Sequence, residues 1–410
     1  MMKHWAVMAL AVFFTALLVL QQNTAGDSES LIVIDTHIDV PYRLTQNFEN
    51  IGRETRRGDF DYARARAGGL NAAFMSIFVP VEKQEPGLAR DFADHLIDLV
   101  ELAARRNADL FAIAISTKDV KRIAKSQRVA LALGIENGAA IEHNLDNLQH
   151  FYERGVRYIT LAHGKANQIA DSSYDDDRPW EGLSPYGEEV VREMNRLGII
   201  VDVSHITDAA VADVLAVSSV PVLASHSSAR AFTPGFERNL SDDLIQDIAA
   251  AGGVIQINFG SAFLTEDANR WYVKYFEDAA NFRTTHELGQ YDPVPAFENQ
   301  YRSANPPPFA TIEDVLNHVD HIVDLVGVDH VGFGSDFDGV GDSLPEGLKS
   351  VADYPLLLEG LAARGYSDED VRKIAGRNTL RVWRAAEQYA ETRRRIARRL
   401  DQEGFGNSSQ

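Results

Sequence analysis

The sequence predicts a single (β/α)8 barrel, and three observations point to it. From Leu31 onward, short β-branched runs alternate with helical segments eight times. The runs are apolar almost without interruption, as strands buried on both faces of a parallel sheet must be. Several of them also end in a histidine or a carboxylate, at the face where barrel strands converge and where such enzymes carry their chemistry. No linker divides the alternation and no further internal repeat appears, so one barrel is expected over a doubly wound sheet.

The expected strands are Leu31–Thr36, Ala72–Val79, Val129–Ile135, Tyr158–Ala162, Ile199–Ser204, Val220–Ser225, Gly253–Phe259 and His330–Ser335. Helix ends are written between them. Ser184 and Pro185 supply a cap and a first-turn proline before YGEEVVREMNRLG, and Gly198 can end that helix. Ser241 opens a segment with acids in its first turn and glycines after its last, and Thr311 to Asp314 has capping-box spacing. A long insertion, residues 261–310, follows strand seven. It is aromatic-rich, reads as irregular, and would stand at the catalytic face as a lid, a subunit contact or a peripheral loop. A homodimer is the expected assembly.

Residues 1–25 read as a signal peptide and 26–410 as the barrel domain. Lys3 gives a positive start, Trp5 to Leu20 are apolar, and a polar segment with small residues follows. Cleavage near Ala25 or Gly26 would deliver a periplasmic or extracellular protein; an uncleaved membrane anchor is the alternative. The chain has no cysteine, which excludes disulfides, thiolate ligands and a cysteine nucleophile. A net charge of −20 disfavours nucleic-acid binding. Arg393, Arg394, Arg395, Arg398 and Arg399 form a local basic stretch, read as a solvated helix face with weak contact to an anionic membrane surface as the sharper alternative.

The strand ends carry His37 and Asp39, Glu136, His205, His226 and Asp336. His37 and Asp39 are one residue apart, so strand alternation would aim both at one face. Imidazole and carboxylate both bind Zn²⁺. Five ligands, His37, Asp39, Glu136, His205 and His226, suit two divalent ions, with Glu136 bridging them, as in two-metal hydrolysis.

The pieces DTHIDVP, GIENG, RYITLAH, GLSPYGEEVVREMNRLGIIVDVSH, PVLASHSSAR, ERNLSDD and HVGFGSDFDGV then acquire a joint meaning. Together they resemble the membrane (renal-type) dipeptidase family, zinc metallopeptidases of the amidohydrolase superfamily. The resemblance implies a dinuclear zinc dipeptidase that accepts some substrates with a C-terminal D-amino acid. It implies His37 and Asp39 as ligands of the first zinc, Glu136 as the bridge, and His205 and His226 as ligands of the second. His163 would bind substrate and steady the oxyanion, Arg238 would hold the substrate carboxylate, and Asp336 would serve as acid and base. Thr36 and Ile38 depart from the glycine and asparagine that flank the family's first histidine, and Asn137 stands where a glycine is usual. Those departures bear on hydrogen bonding around the metals and on substrate preference.

Rival readings are another amidohydrolase reaction (an N-acyl-amino-acid deacylase or a cyclic-amide hydrolase) and a non-catalytic binding protein on the same barrel. Asp338 is expected to position a loop, and Asp175 to Asp177 to form a solvated one, whose place after strand four could also put it near the site. His95, His143, His150, His318 and His321 are expected to be structural or solvated. Ser227 and Ser228 lack the glycine pattern of a nucleophile elbow.

Overall fold

A computed structural model describes residues 31–402 apart from 85–86 and 291. The expected signal peptide lies outside the described residues. One sheet contains β1 (Val33–Ile38), β2 (Leu70–Phe78), β3 (Phe111–Ile113), β4 (Val129–Glu136), β5 (Val156–Thr160), β6 (Ile200–Asp202), β7 (Leu223–Ala224), β8 (Val254–Ile257) and β9 (Val331–Phe333). Every pairing is parallel, in the order β1-β2-β4-β5-β6-β7-β8-β9. Just past β9, Phe337 bridges to Ile38 and accepts a hydrogen bond from Asp39 N–H (2.9 Å), drawing the last strand back to the first. The (β/α)8 barrel is therefore the observed architecture.

β3 is additional to the eight expected strands. It pairs with the first half of β4, where Phe111 lies opposite Val129, and β5 pairs with β4 from Leu133 onward. Three residues are too short a run for periodicity to reveal.

The barrel interior is a column of rings. Trp383, from the helix Asn378–Gln402, lies 5.2 Å from Phe74, and Phe74 lies 5.2 Å from Tyr158. Gly134 makes room for the last ring, since a Cβ there would come within 2.0 Å of Tyr158 Cζ. The Tyr158 hydroxyl then reaches His37 Nδ1 at 2.8 Å.

β1 departs from simple alternation. Ile34 belongs to the interior cluster, whereas Asp35 bonds the Tyr354 hydroxyl (2.6 Å) at the start of the outer helix Tyr354–Ala363. Strict alternation would send His37 outward with Asp35. Instead Asp35 pairs with Ala73 and Ile38 with Met75, so three steps along β1 match two along β2. That bulge turns His37 back to Tyr158. Asp39 has left the strand and stands at the start of the helix Val40–Gln46, its side chain making no capping hydrogen bond. The two side chains still meet, but by a bulge and a helix start, which corrects the expectation from strand period.

The expected helix ends are present. Ser184 accepts from Gly187 N–H, and Gly198, at φ +90°, ends the helix Pro185–Leu197. Ser241 accepts from Leu244 N–H, and Thr311 with Asp314 forms the capping box. The insertion differs from expectation: it is largely helical, with Ser261–Leu264, Glu266–Thr285 and Pro295–Ala304. Thr265 caps the longest of these, and Trp271, Tyr275, Phe297 and Tyr301 pack their rings between the two longer helices. Its aromatics thus serve mainly the insertion's own packing. Among the described residues no helix is long and apolar enough to cross a membrane.

Candidate active site at the C-terminal end of the barrel

The structure brings the expected residues together around Glu136, at the end of β4. Glu136 Oε2 lies 3.3 Å from His37 Nε2. Its other oxygen, Oε1, lies 3.0 Å from His205 Nε2, 3.3 Å from His226 Nε2 and 3.4 Å from His163 Nε2. His37 Nε2 is also 3.5 Å from Asp39 Oδ2. Three overlapping donor sets result: His37, Glu136 and His226; Glu136, His163 and His205; His37, Asp39 and Asp336. His226 stands between the others, stacked 3.7 Å from His37 and 2.8 Å from His205 through the Nε2 atoms.

A divalent cation fits this donor set. His37 Nε2 and Asp39 Oδ1 are buried without a hydrogen-bond partner, a costly arrangement unless something else binds them. Two of the imidazoles are also oriented through Nδ1. Tyr158 O–H donates to Thr36 C=O (3.1 Å), so its oxygen accepts from His37 Nδ1 and Nε2 is the atom turned to the site. Against the effect of burial, Tyr158, Glu136 and Asp39 hold that ring well above the usual imidazole range. Asp202 accepts from Ser225 O–H (2.6 Å), and Ser225 Oγ accepts from His226 Nδ1 (2.7 Å), which turns His226 Nε2 to the site as well. Burial, with Arg238 and His163 nearby, holds His205 well below the usual imidazole range. Burial, with His37 and Arg238, does the same for His226. Both are therefore neutral, the ligand form. Burial pushes the Glu136 carboxyl up, but His37, His163, His205 and His226 together hold it well below the usual carboxylate range.

Two of these positions carry backbone strain. His205 has φ +71° and Asp336 φ +63°, a left-handed conformation uncommon outside glycine. Asp336 Oδ2 accepts from Asn258 Nδ2 at 2.8 Å. Burial and the neighbouring Asp39 charge push its carboxyl up to about 7. A Cβ at Gly339 would sit 2.1 Å from Asp336 Oδ1 and 2.3 Å from Asp39 Oδ2, so this glycine lets the two carboxylates approach. Asp338 turns away, to Arg43 (2.9 Å) and Asp59 N–H (2.7 Å), and ties two loops together.

Arg238 is buried beside the imidazoles. Its Nη1 donates to Ser227 Oγ (2.7 Å), and its Nη2 to His226 C=O (2.9 Å) and His205 Nε2 (3.0 Å). Its Nε is buried and unpaired. Its guanidinium lies 5.3 Å from the Phe263 ring, from the first helix of the insertion. His163 is the most open of the imidazoles around Glu136, with 22 % of its side chain exposed. It lines a cleft of about 610 Å³ together with Tyr42, Phe78, Glu82, Lys165, Tyr174 and Gln290. Gln290 brings the insertion to the cleft. Asp175 and Asp176 also line it, the alternative that their place after the fourth expected strand left open.

The other histidines lie elsewhere. His318 accepts from Ala229 N–H and bonds Leu264 C=O, both at 3.0 Å, while His150 and His321 pair with Asp94 and Asp242. Residues the sequence reading missed are Asp35, Tyr158, Tyr174, Asp202 and Ser225. Asp35 and Asp202 had a legible signal, a lone charge inside an otherwise apolar strand run. Tyr158 and Ser225 had none.

A parallel barrel with a buried histidine–carboxylate cluster at the C-terminal end of its strands defines a class, the metal-dependent hydrolases. Residues 28–397 match the profile of the membrane dipeptidase family, peptidase family M19, and the chain belongs to that family. It is 34 % identical over 376 residues to an uncharacterized dipeptidase of Schizosaccharomyces pombe, covering 88 % of this chain and 82 % of that protein. It is 34 % identical over 348 residues to a dipeptidase of Claviceps purpurea, covering 82 % and 71 %. Among solved structures, the probable dipeptidase PvdM of Pseudomonas aeruginosa matches with a TM-score of 0.77 and 28 % identity, over 93 % of this chain and 99 % of that one. A metallo peptidase of Rhodobacter sphaeroides, liganded with a phosphinate mimic of L-Ala-D-Ala, matches with a TM-score of 0.71 and 26 % identity, over 87 % and 100 %. The protein is a metallo-dipeptidase, and its substrates are dipeptides.

Proposed function

We propose that this enzyme is an exported dinuclear zinc dipeptidase that hydrolyses L,L dipeptides and dipeptides with a C-terminal D-residue. The observation that carries the reading is Glu136, whose Oε2 faces His37 (3.3 Å) while its Oε1 faces His205 (3.0 Å) and His226 (3.3 Å). One carboxylate thereby serves two sets of donors. His37 and Asp39 would hold one ion, His205 and His226 the other, and Glu136 would bridge them. Bound there, the ions supply Lewis-acid polarisation and water activation.

The protein's own groups do the rest. Arg238 keeps a buried N–H free for the substrate carboxylate. His163, lining the cleft, donates to the carbonyl oxygen as negative charge develops. Asp336, beside Asp39, carries a proton to the departing amine. Glu82, Asp175 and Asp176 on the cleft wall attract the substrate's free amine. A longer peptide would leave one charged terminus unpaired, at a cost of roughly 1–3 kcal/mol. The likeness to the Rhodobacter sphaeroides enzyme supports acceptance of L,D substrates. The N-terminal sequence supports export, and the basic end of the last helix supports weak contact with anionic membranes.

Elemental analysis and a panel of L,L, L,D, C-terminally amidated and tetrapeptide substrates test this reading. Two zinc ions per chain and selective cleavage of free dipeptides are expected. Active protein with well under one metal would overturn the dinuclear centre. Equal cleavage of amidated dipeptides or tetrapeptides would overturn the carboxylate clamp.

A further inference from the structure

We infer that Tyr174 is a second donor to the substrate's C-terminal carboxylate, acting beside Arg238; the placement rests on the reading of Arg238 above. Tyr174 lies in the connection between β5 and the helix Pro185–Leu197, where the sequence shows only a polar loop. The loop is fixed at its root. Ser173 N–H donates to His205 C=O (2.8 Å), and Ser172 Oγ donates to His163 C=O while accepting from Tyr174 N–H (3.2 Å). Tyr174 is thus registered on the backbones of two histidines of the site.

The residue is 47 % exposed and lines the cleft. It packs 5.8 Å from His205 and 6.2 Å from Phe236. Its phenol interacts electrostatically with the Arg238 guanidinium. Phe236 in turn lies 5.7 Å from Phe263, the ring that Arg238 overlies. Tyr174, Phe236 and Phe263 therefore line the approach to Arg238 with aromatic carbon, and the Tyr174 hydroxyl is a polar group on that wall. A carboxylate has two oxygens to satisfy. Arg238 spends both Nη2 hydrogens and one Nη1 hydrogen on the protein; the two left, on Nε and Nη1, lie on different edges of the guanidinium, so a carboxylate meets one of them through one oxygen. A phenol, neutral at physiological pH, donates to the other.

The test compares Tyr174→Phe with the metal-loaded wild type on one dipeptide in free and C-terminally amidated form. The variant keeps the ring and removes only the hydroxyl. KM for the free dipeptide should rise about tenfold with kcat nearly unchanged, as for loss of one hydrogen bond to a charged group. kcat/KM for the amidated dipeptide should not change. An equal loss on both substrates, or a fall in kcat alone, would overturn the assignment, since a structural role moves both substrates together. No change on either would overturn it as well. Arg238→Ala separates this proposal from the one beneath it. If Arg238→Ala abolishes the preference for the free carboxylate and Tyr174→Phe leaves it intact, only the role of Tyr174 falls. If wild type shows no such preference, the clamp itself falls, and Tyr174 with it.

Discussion

The two halves of the site are built alike and face different tasks. On one side stand His37, Asp39 and Asp336, from the seam where the last strand meets the first; on the other stand His205, His226 and Arg238, from the loops after β6 and β7. Behind each half sits a fully buried aspartate in the same pattern of bonds. Asp35 accepts from His37 and Ser335 N–H through one oxygen and from the Ser335 and Tyr354 hydroxyls through the other. Asp202 accepts from Ser204 and Ser225 N–H through one oxygen and from the Thr160 and Ser225 hydroxyls through the other. The difference lies one bond further out. Ser225 passes the charge of Asp202 on to the His226 ring, whereas Asp35 reaches only the backbone of His37 and leaves its ring to Tyr158. A buried carboxylate can therefore tune a histidine or merely hold the strand beneath it, and only the intervening hydroxyl decides which.

The largest effect should come from removing the residue the halves share. Glu136→Ala should lower metal content on both sides and bring peptidase activity below detection; undiminished binding of two ions would refute the shared role. Asp336→Asn should retain the metals yet lower kcat about 10²–10⁴-fold, the usual worth of a placed proton carrier. A near-wild-type rate would move that role away from Asp336.

Smaller effects sharpen the contrast between the aspartates. Asp202→Asn should weaken metal affinity about 10–100-fold, measured by chelator competition, because it removes charge that Ser225 relays to His226. Asp35→Asn should leave metal affinity near wild type and appear instead as a lower Tm. Equal losses of affinity would show that both aspartates tune their histidines alike. Least of all, Tyr158→Phe should weaken binding about two- to tenfold, by one hydrogen bond to His37, with the barrel intact.

Much of the fold was legible because its signals are local. The runs of β4 and β5, the Ser184–Pro185 and Ser241 caps and the Thr311 capping box each fit within a few residues. Chemistry was legible for a similar reason: a histidine or carboxylate closing an apolar run, as at Glu136 and Asp336, marks itself. Legibility failed where the partner is remote. Tyr158 meets His37 across 121 residues, and Asp35 meets Tyr354 across 319. Tyr174 looked like loop filler because the histidine backbones that fix it belong to other elements. The insertion read as irregular because its aromatics pack between two helices, so neither helix shows a clean stripe alone.

The sequence by itself determined that eight apolar runs must share one parallel barrel and that histidines and carboxylates would crowd the end where the runs stop. Burial on both faces leaves such runs little other arrangement. The tertiary structure alone decided how those side chains point. His37 faces inward only because β1 gains a residue against β2, His205 and Asp336 only because their backbones are held left-handed, and Asp39 because the strand has already ended. A side chain's direction at a strand end is set by pairing with its neighbours, and that pairing is not written in the local period of the chain.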